Sequence, residues 1–286
     1  MNRALVLSGG ANKGAFHCGV LSYLINDLKN NYNILCGTSV GALNCSYLGM
    51  FDNKTKAIKD LINIWLNLKQ EDVIKRHFPF GRLHGLWLSS FYNSNPIKSK
   101  INSLIDVEKI RQTKNTVCVD AVCMENGQLY SIDQTNENFK EYVLASCSFP
   151  GLFKPVEINN KLFLDGGVKS ITPLTNAIEL GADIIDVIIC SPENNAQTMP
   201  NANSIVILKR TIDLMVDSIV DSDIKKALLY NKILEHENIP GKRKVEINII
   251  RPEIQLNYDS FNFDKKMIQY MIDYGYWLAK SLYCKL

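Results

Sequence analysis

A chain of 286 residues, 46% hydrophobic and 21% charged, can bury a full core without disulfides or a structural metal. Its formal net charge of +3 is too small for the strongly basic face of a nucleic-acid binder, and its apolar content excludes disorder as the main state. No window approaches the roughly 18 consecutive apolar residues that cross a bilayer, and the only apolar run before Ser8-Gly9-Gly10 is the four residues Ala4 to Leu7, too few for a signal-peptide core. A cytoplasmic protein is expected, with any membrane contact peripheral.

In chain order, Arg3 to Leu7 reads as a buried strand that stops at glycine. A helical pattern begins at Gly14, with Ala15, Val20, Leu21, Leu24 and Leu28 near a 3.6-residue period. A second strand, Tyr32 to Cys36, ends at Gly37, and a helix follows from Val40 to about Met50. Strand, glycine loop, helix, strand, sharp turn and helix form a parallel α/β opening, in which ligands bind at the carboxyl edge of the sheet. Residues 54 to 69 predict an amphipathic helix. An aromatic stretch from Phe78 to Tyr92 follows, interrupted by Pro79, Gly81 and Gly85.

Asn95-Pro96 predicts a helix start, with Asn95 as cap and Pro96 at the first helical position. Thr116 to Cys123 and Gln128 to Ile132 flank Asn126-Gly127, a strong hairpin signal. A short helix from about Glu137 and a strand from Lys161 to Leu164 follow, the latter ending in Asp165-Gly166-Gly167. Beyond lie a helix from Pro173 to Leu180, a buried strand from Ile184 to Ile189, a last strand from Val245 to Ile250, and helices over about 204–235 and 264–283. With no repeat, low-complexity tract or linker, one domain over residues 1–286 is expected. The motif-bearing core is placed at about 3–190, and helices and a strand complete it over about 204–283.

The eight cysteines form no Cys-x-x-Cys pair and mostly sit in apolar runs such as Val117-Cys118-Val119. They are expected to be core thiols rather than a disulfide framework or a metal site, and no cofactor is expected.

Gly37-Thr38-Ser39-Val40-Gly41 fits the Gly-x-Ser-x-Gly nucleophile elbow, in which a serine on a tight strand-to-helix turn projects its hydroxyl above the sheet. Ser8-Gly9-Gly10-Ala11-Asn12-Lys13-Gly14, also between strand and helix, can aim consecutive N–H groups into one pocket. It departs from both nucleotide-binding patterns: Gly14 is not followed by Lys-Ser/Thr, and Ala11 stands where the dinucleotide motif wants glycine. A nucleophilic serine needs a base. None of His17, His77, His84 and His236 has a distinctive context. His17 reads as a partly buried helix histidine and His236 as a helix C-terminal cap. Asp165 follows a strand directly and is locked by two glycines, which would let it meet a serine at the end of a neighbouring strand. Alone, Asp-Gly-Gly is also a simple turn.

These three elements, in this order, resemble the patatin-like phospholipase family: the Gly9-to-Gly14 loop, the elbow around Ser39, and Asp165-Gly166-Gly167. Gly19-Val20-Leu21, Ala145-Ser146, Pro150-x-x-Phe153-x-Pro155 and Gly275-Tyr276 extend the resemblance over roughly residues 3 to 283. It implies a three-layer α/β/α fold with a mainly parallel central sheet. It also implies a serine hydrolase acting on lipid acyl esters through a Ser39–Asp165 dyad, with Gly10 and Ala11 N–H groups holding the oxyanion. Gly9, Lys13, Gly14, Gly37, Gly41, Gly166 and Gly167 would support the motifs, and Lys13 would orient the loop or meet a phosphate.

Ala11 replaces the family's usual third glycine. If only its N–H is used, with ordinary backbone angles, alanine is harmless, and that is the expectation here. Three other readings stay open: an acyltransferase using the same dyad, a Ser39–Asp165–His236 α/β-hydrolase esterase, and a catalytically silent lipid-binding relative. The aromatic stretch from Phe78 to Tyr92, flanked by Lys75, Arg76 and Arg82, is expected to cap the acyl site and touch lipid surfaces.

Overall fold

Ala4, Val6, Ile34 and Cys36 pack into one apolar cluster, while Leu5, Leu7 and Leu35 pack into another. This period of two puts alternate residues of Arg3–Leu7 (β1) and Ile34–Gly37 (β2) on opposite faces of a sheet covered on both sides. The protein is described here from a computed structural model, which covers residues 1–76, 90–194, 196, 204–257, 259 and 262–284.

The fold is three-layered with a mainly parallel central sheet, as the resemblance implied. The strand order is β10-β9-β1-β2-β5-β8-β7, with β6 also pairing β5. Here β5 is Thr116–Cys123, β6 Leu129–Asp133, β7 Val156–Ile158, β8 Lys161–Asp165, β9 Ile184–Ile188 and β10 Glu246–Ile250. Strands β1, β2, β5, β9 and β10 are parallel, whereas β6, β7 and β8 join antiparallel. Two short strands, Lys75–Arg76 (β3) and Tyr92–Asn93 (β4), pair apart from this sheet.

One face carries Gly14–Ser22 (α1), Val40–Gly49 (α2), Lys54–Asn67 (α3), Asn95–Leu104 (α5), Phe139–Ser146 (α7) and Lys265–Tyr283 (α10); Gln70–Val73 (α4) and Val107–Arg111 (α6) complete the connections. The other face carries Leu174–Glu179 (α8) and the 33-residue Ser204–His236 (α9).

Helix α1 departs from the amphipathic reading, because every residue from Gly14 to Leu21 is buried. It is packed against α10 and α3, so no polar stripe is needed. The two helices approach so closely that a Cβ on Gly19 would lie 1.9 Å from Ile272 O. After Ser22 the helix widens into a π-type turn, Tyr23–Asp27, and Leu28 is left exposed. The start of α5 is also shifted. Ser94 precedes the helix, Asn95 is its first residue and Pro96 its second, because Asn93 Oδ1 takes the Asn95 N–H in a local turn.

The hairpin forms as read, with Gly127 at φ 64° between β5 and β6. Seven cysteines are buried and Cys284 is exposed, all as free thiols. Among the described residues, no helix is long and apolar enough to cross a membrane. The expected aromatic cap lies mostly outside the described residues. Of that stretch, residues 90–92 are described, and Phe91 and Tyr92 line the cavity discussed next.

Candidate active site

The elbow forms where β2 turns into α2. Ser39 sits at φ 57°, ψ −127°, a conformation that costs a non-glycine residue on the order of 1–3 kcal/mol and persists only when its surroundings enforce it. Its N–H donates to Ser146 Oγ at 2.9 Å, and its carbonyl accepts from Cys147 Sγ at 3.3 Å. Both motif glycines are demanded by close approach. A Cβ on Gly37 would lie 2.3 Å from Gly41 C, and one on Gly41 would lie 2.1 Å from Leu7 O.

The glycine loop leaves β1 beside the elbow. Ser8 N donates to Ile188 O at 3.0 Å, Gly9 N to Ile171 O at 3.1 Å, and Lys13 N to Gly10 O at 3.1 Å. Among the described residues, no hydrogen bond takes the Gly10 or Ala11 N–H. Ala11 corrects the expectation of ordinary backbone angles. Its φ is 51°, so the position is left-handed and alanine bears the Cβ penalty there. The turn is anchored by Asn12, fully buried, whose Nδ2 donates to Asp259 O at 2.9 Å and Asn262 O at 2.7 Å.

Asp165 reaches the same place by a route the sequence did not suggest. Cys118 and Val119 of β5 pair with both β2 and β6, while Ala121 and Val122 pair with both β6 and β8. Strands β2 and β8 therefore share one edge of β5, end to end. β2 stops with Gly37 opposite Val119, and β8, running the other way, stops with Asp165 opposite Ala121. Two carboxyl ends thus meet head-on, about 7 Å apart along β5. The neighbouring strand of the expectation is a collinear, opposed one on the same edge of β5.

The Asp165 side chain is buried. Oδ1 accepts from Gly167 N at 2.8 Å, and Oδ2 is enclosed with no partner within hydrogen-bond geometry. Burial pushes its pKa up to about 7, against the opposing pull of the Gly167 N–H and the nearby Ser39 hydroxyl.

Ser39, Asp165, Gly9, Gly10, Ala11 and Lys13 all line one cavity of about 710 Å³. Its apolar walls come from distant elements: Leu61 and Trp65 of α3, Ile97 and Ile101 of α5, and Val216 and Val220 of α9. Among the described residues, no histidine lines it. His17 is fully rather than partly buried, its Nε2 3.0 Å from Cys190 Sγ and its Nδ1 3.3 Å from Asn44 Nδ2. Burial holds it neutral by pushing its pKa down to about 3. His236 is exposed in the last turn of α9, and His77 and His84 lie outside the described residues.

Sequence reasoning did not single out Cys147, Ile171 or Cys190 as cavity-lining residues. Ser146 was visible only as part of Ala145-Ser146, with nothing local to say that it takes the elbow N–H.

The profile of the family described as "Patatin-like phospholipase" matches residues 5–178. The chain is 26% identical over 273 residues to a protein of Invertebrate iridescent virus 6 named "Probable lipid hydrolase 463L", covering 87% of this chain and 92% of that one. It is 28% identical over 180 residues to "Triacylglycerol lipase SDP1L" of Arabidopsis thaliana, covering 55% of this chain and only 20% of the plant protein. Among solved structures it is similar to VipD from Legionella pneumophila, with a TM-score of 0.46 and 14% identity over 98% of this chain and 66% of that one.

Proposed function

The chain belongs to the patatin-like phospholipase family, and from that premise we propose that it is a serine acyl hydrolase cleaving fatty-acyl esters of phospholipids, lysophospholipids or related lipids. One observation carries the reading: a strained serine and a buried carboxyl with its pKa near 7 meet inside an apolar cavity. In this reading Ser39 Oγ attacks the acyl carbonyl carbon, and its proton passes to Asp165. The N–H groups of Gly10 and Ala11 hold the tetrahedral oxyanion. When the intermediate collapses, the alcohol leaves with the proton from Asp165. Water, deprotonated by the same carboxylate, then frees the fatty acid and restores Ser39.

A carboxyl near pH 7 is a far better base than one at its ordinary value, while enough of it is still ionised at neutral pH to act. The absence of a histidine among the described cavity residues supports a dyad over a triad. So does the topology, in which only β1 precedes the elbow strand. Phe91, 42% exposed while lining the cavity, stands where the cavity meets solvent, and we place peripheral lipid contact there.

The test is covalent labelling with a fluorophosphonate probe, alongside mass spectrometry of acids released from a lipid extract. Ser39→Ala should abolish both in a folded protein, and His236→Ala should leave both intact. Labelling that persists in folded Ser39→Ala removes the nucleophile, and an equal loss in His236→Ala restores the triad.

A further inference from the structure

One short backbone segment touches both loops that carry the proposed chemistry. Ile171 O accepts the Gly9 N–H at 3.1 Å. Its side chain presses on both glycine turns: a Cβ on Gly9 would lie 2.3 Å from Ile171 Cδ1, and one on Gly167 2.5 Å from the same atom. Gly9 in turn backs onto the nucleophile, since its Cβ would lie 3.2 Å from Ser39 Cβ. Gly167 N donates to Asp165 Oδ1. Ile171 is therefore a wedge between the oxyanion loop and the aspartate loop.

The wedge is gripped by a single carboxyl oxygen from α9, the helix with which Ile171 shares an apolar cluster. Asp223 Oδ2, on α9, accepts from Ile171 N at 3.0 Å, Thr172 N at 3.0 Å and Ser170 Oγ at 3.3 Å. Asp223 is 7% exposed and Thr172 fully buried, so water cannot readily replace these bonds. Helix α9 also lines the cavity through Val216 and Val220, two turns and one turn before Asp223.

We propose that Asp223 is a positioning residue for ester hydrolysis, acting through Ile171 to set the spacing between the oxyanion donors and Asp165. The inference rests on the hydrolase reading above. Oxyanion donors act only if held to within about 0.5 Å of the productive geometry. A relaxed wedge would spoil that alignment in the transition state and leave the apolar acyl site unchanged. The loss should therefore fall on kcat rather than KM.

The experiment compares Asp223→Ala and Asp223→Asn with the wild type, below their melting temperatures. Substrate is a short soluble ester; fluorophosphonate labelling of Ser39 and amide hydrogen exchange are followed in parallel. Asp223→Ala should lower kcat by roughly 10²-fold with KM nearly unchanged, the scale of a small misplacement of reacting groups. Labelling should slow in parallel, and exchange should rise at residues 8–13 and 166–172. Asp223→Asn, which keeps one carbonyl acceptor, should recover most of the loss. A folded Asp223→Ala with a lower melting temperature but unchanged kcat would overturn the proposal. If Asp223→Ala does not fold, Ile171→Ala replaces it and should lower kcat and raise exchange at residues 8–13 and 166–170; unchanged kcat there also overturns the proposal. A wild type that neither turns over nor labels would sink the hydrolase reading instead, and the exchange comparison would still decide whether Asp223 holds the two loops.

Discussion

Replacing Asp165 by asparagine should move stability and turnover in opposite directions. The carboxyl is buried, and its pKa rises from 3.8 to about 7. Between those values the folded protein holds a proton that the unfolded chain has lost. The stability this gives is fully present below about pH 4 and is lost as pH rises through about 7, where the carboxyl must ionise inside the fold. At about 1.36 kcal/mol per unit, three units amount to ~4 kcal/mol once the group is charged. Asparagine never ionises and still offers an oxygen to the Gly167 N–H. Asp165→Asn should therefore gain ~2 kcal/mol at pH 5 and ~4 kcal/mol at pH 8. For a chain of this size, that difference corresponds to melting temperatures about 5 °C further apart at pH 8 than at pH 5. Ester turnover should fall roughly 10²–10⁴-fold, the usual worth of a general base. Wild-type kcat/KM should drop about tenfold per pH unit below pH ~7, since only the ionised base works. Thermal melts and ester assays at both pH values check this. A melting-temperature difference that ignores pH would refute the buried, proton-holding carboxyl, and an active Asp165→Asn would refute its role as base.

Two further outcomes follow from the loop and the cavity wall. At φ 51°, Ala11→Gly should hold stability within about 1 kcal/mol in urea unfolding, because relief of the left-handed penalty offsets glycine's greater chain entropy; turnover should be kept. A loss well beyond that in folded Ala11→Gly would mean the alanine methyl itself is needed. Ile101→Phe, at a position 3% exposed in the cavity wall of α5, should cut turnover of long-chain esters about tenfold more than that of short ones. Equal loss on both would make Ile101 a core residue only.

The three motifs were legible because each is local. Strand, glycine turn and helix follow one another within a few residues around both Gly10 and Ser39, and the hairpin at Asn126-Gly127 needs only its own turn chemistry. That order carried the resemblance to the patatin-like family, and the resemblance in turn implied the three-layer fold. The helical period of α1 was a weaker guide. A helix packed against α10 and α3 with all of Gly14 to Leu21 buried has no exposed face to mark, so its stripe carries little information.

What the sequence determined by itself was a set of short-range turns: which serine lies on a strained elbow, and which glycines must be glycine. Tertiary structure decided how those turns face one another. Asp165 meets Ser39 because β2 and β8 share one edge of β5 in opposed directions, which brings together segments more than a hundred residues apart through their separate pairings with β5. Ala11 is forced left-handed by the packing of its turn, not by its own preference. Asp223 grips a segment 51 to 53 positions before it. Hydrogen bonds and apolar contacts of that range depend on where the chain returns in space. No local pattern records this, because the energy that holds such contacts comes from burial shared among elements rather than from any one of them.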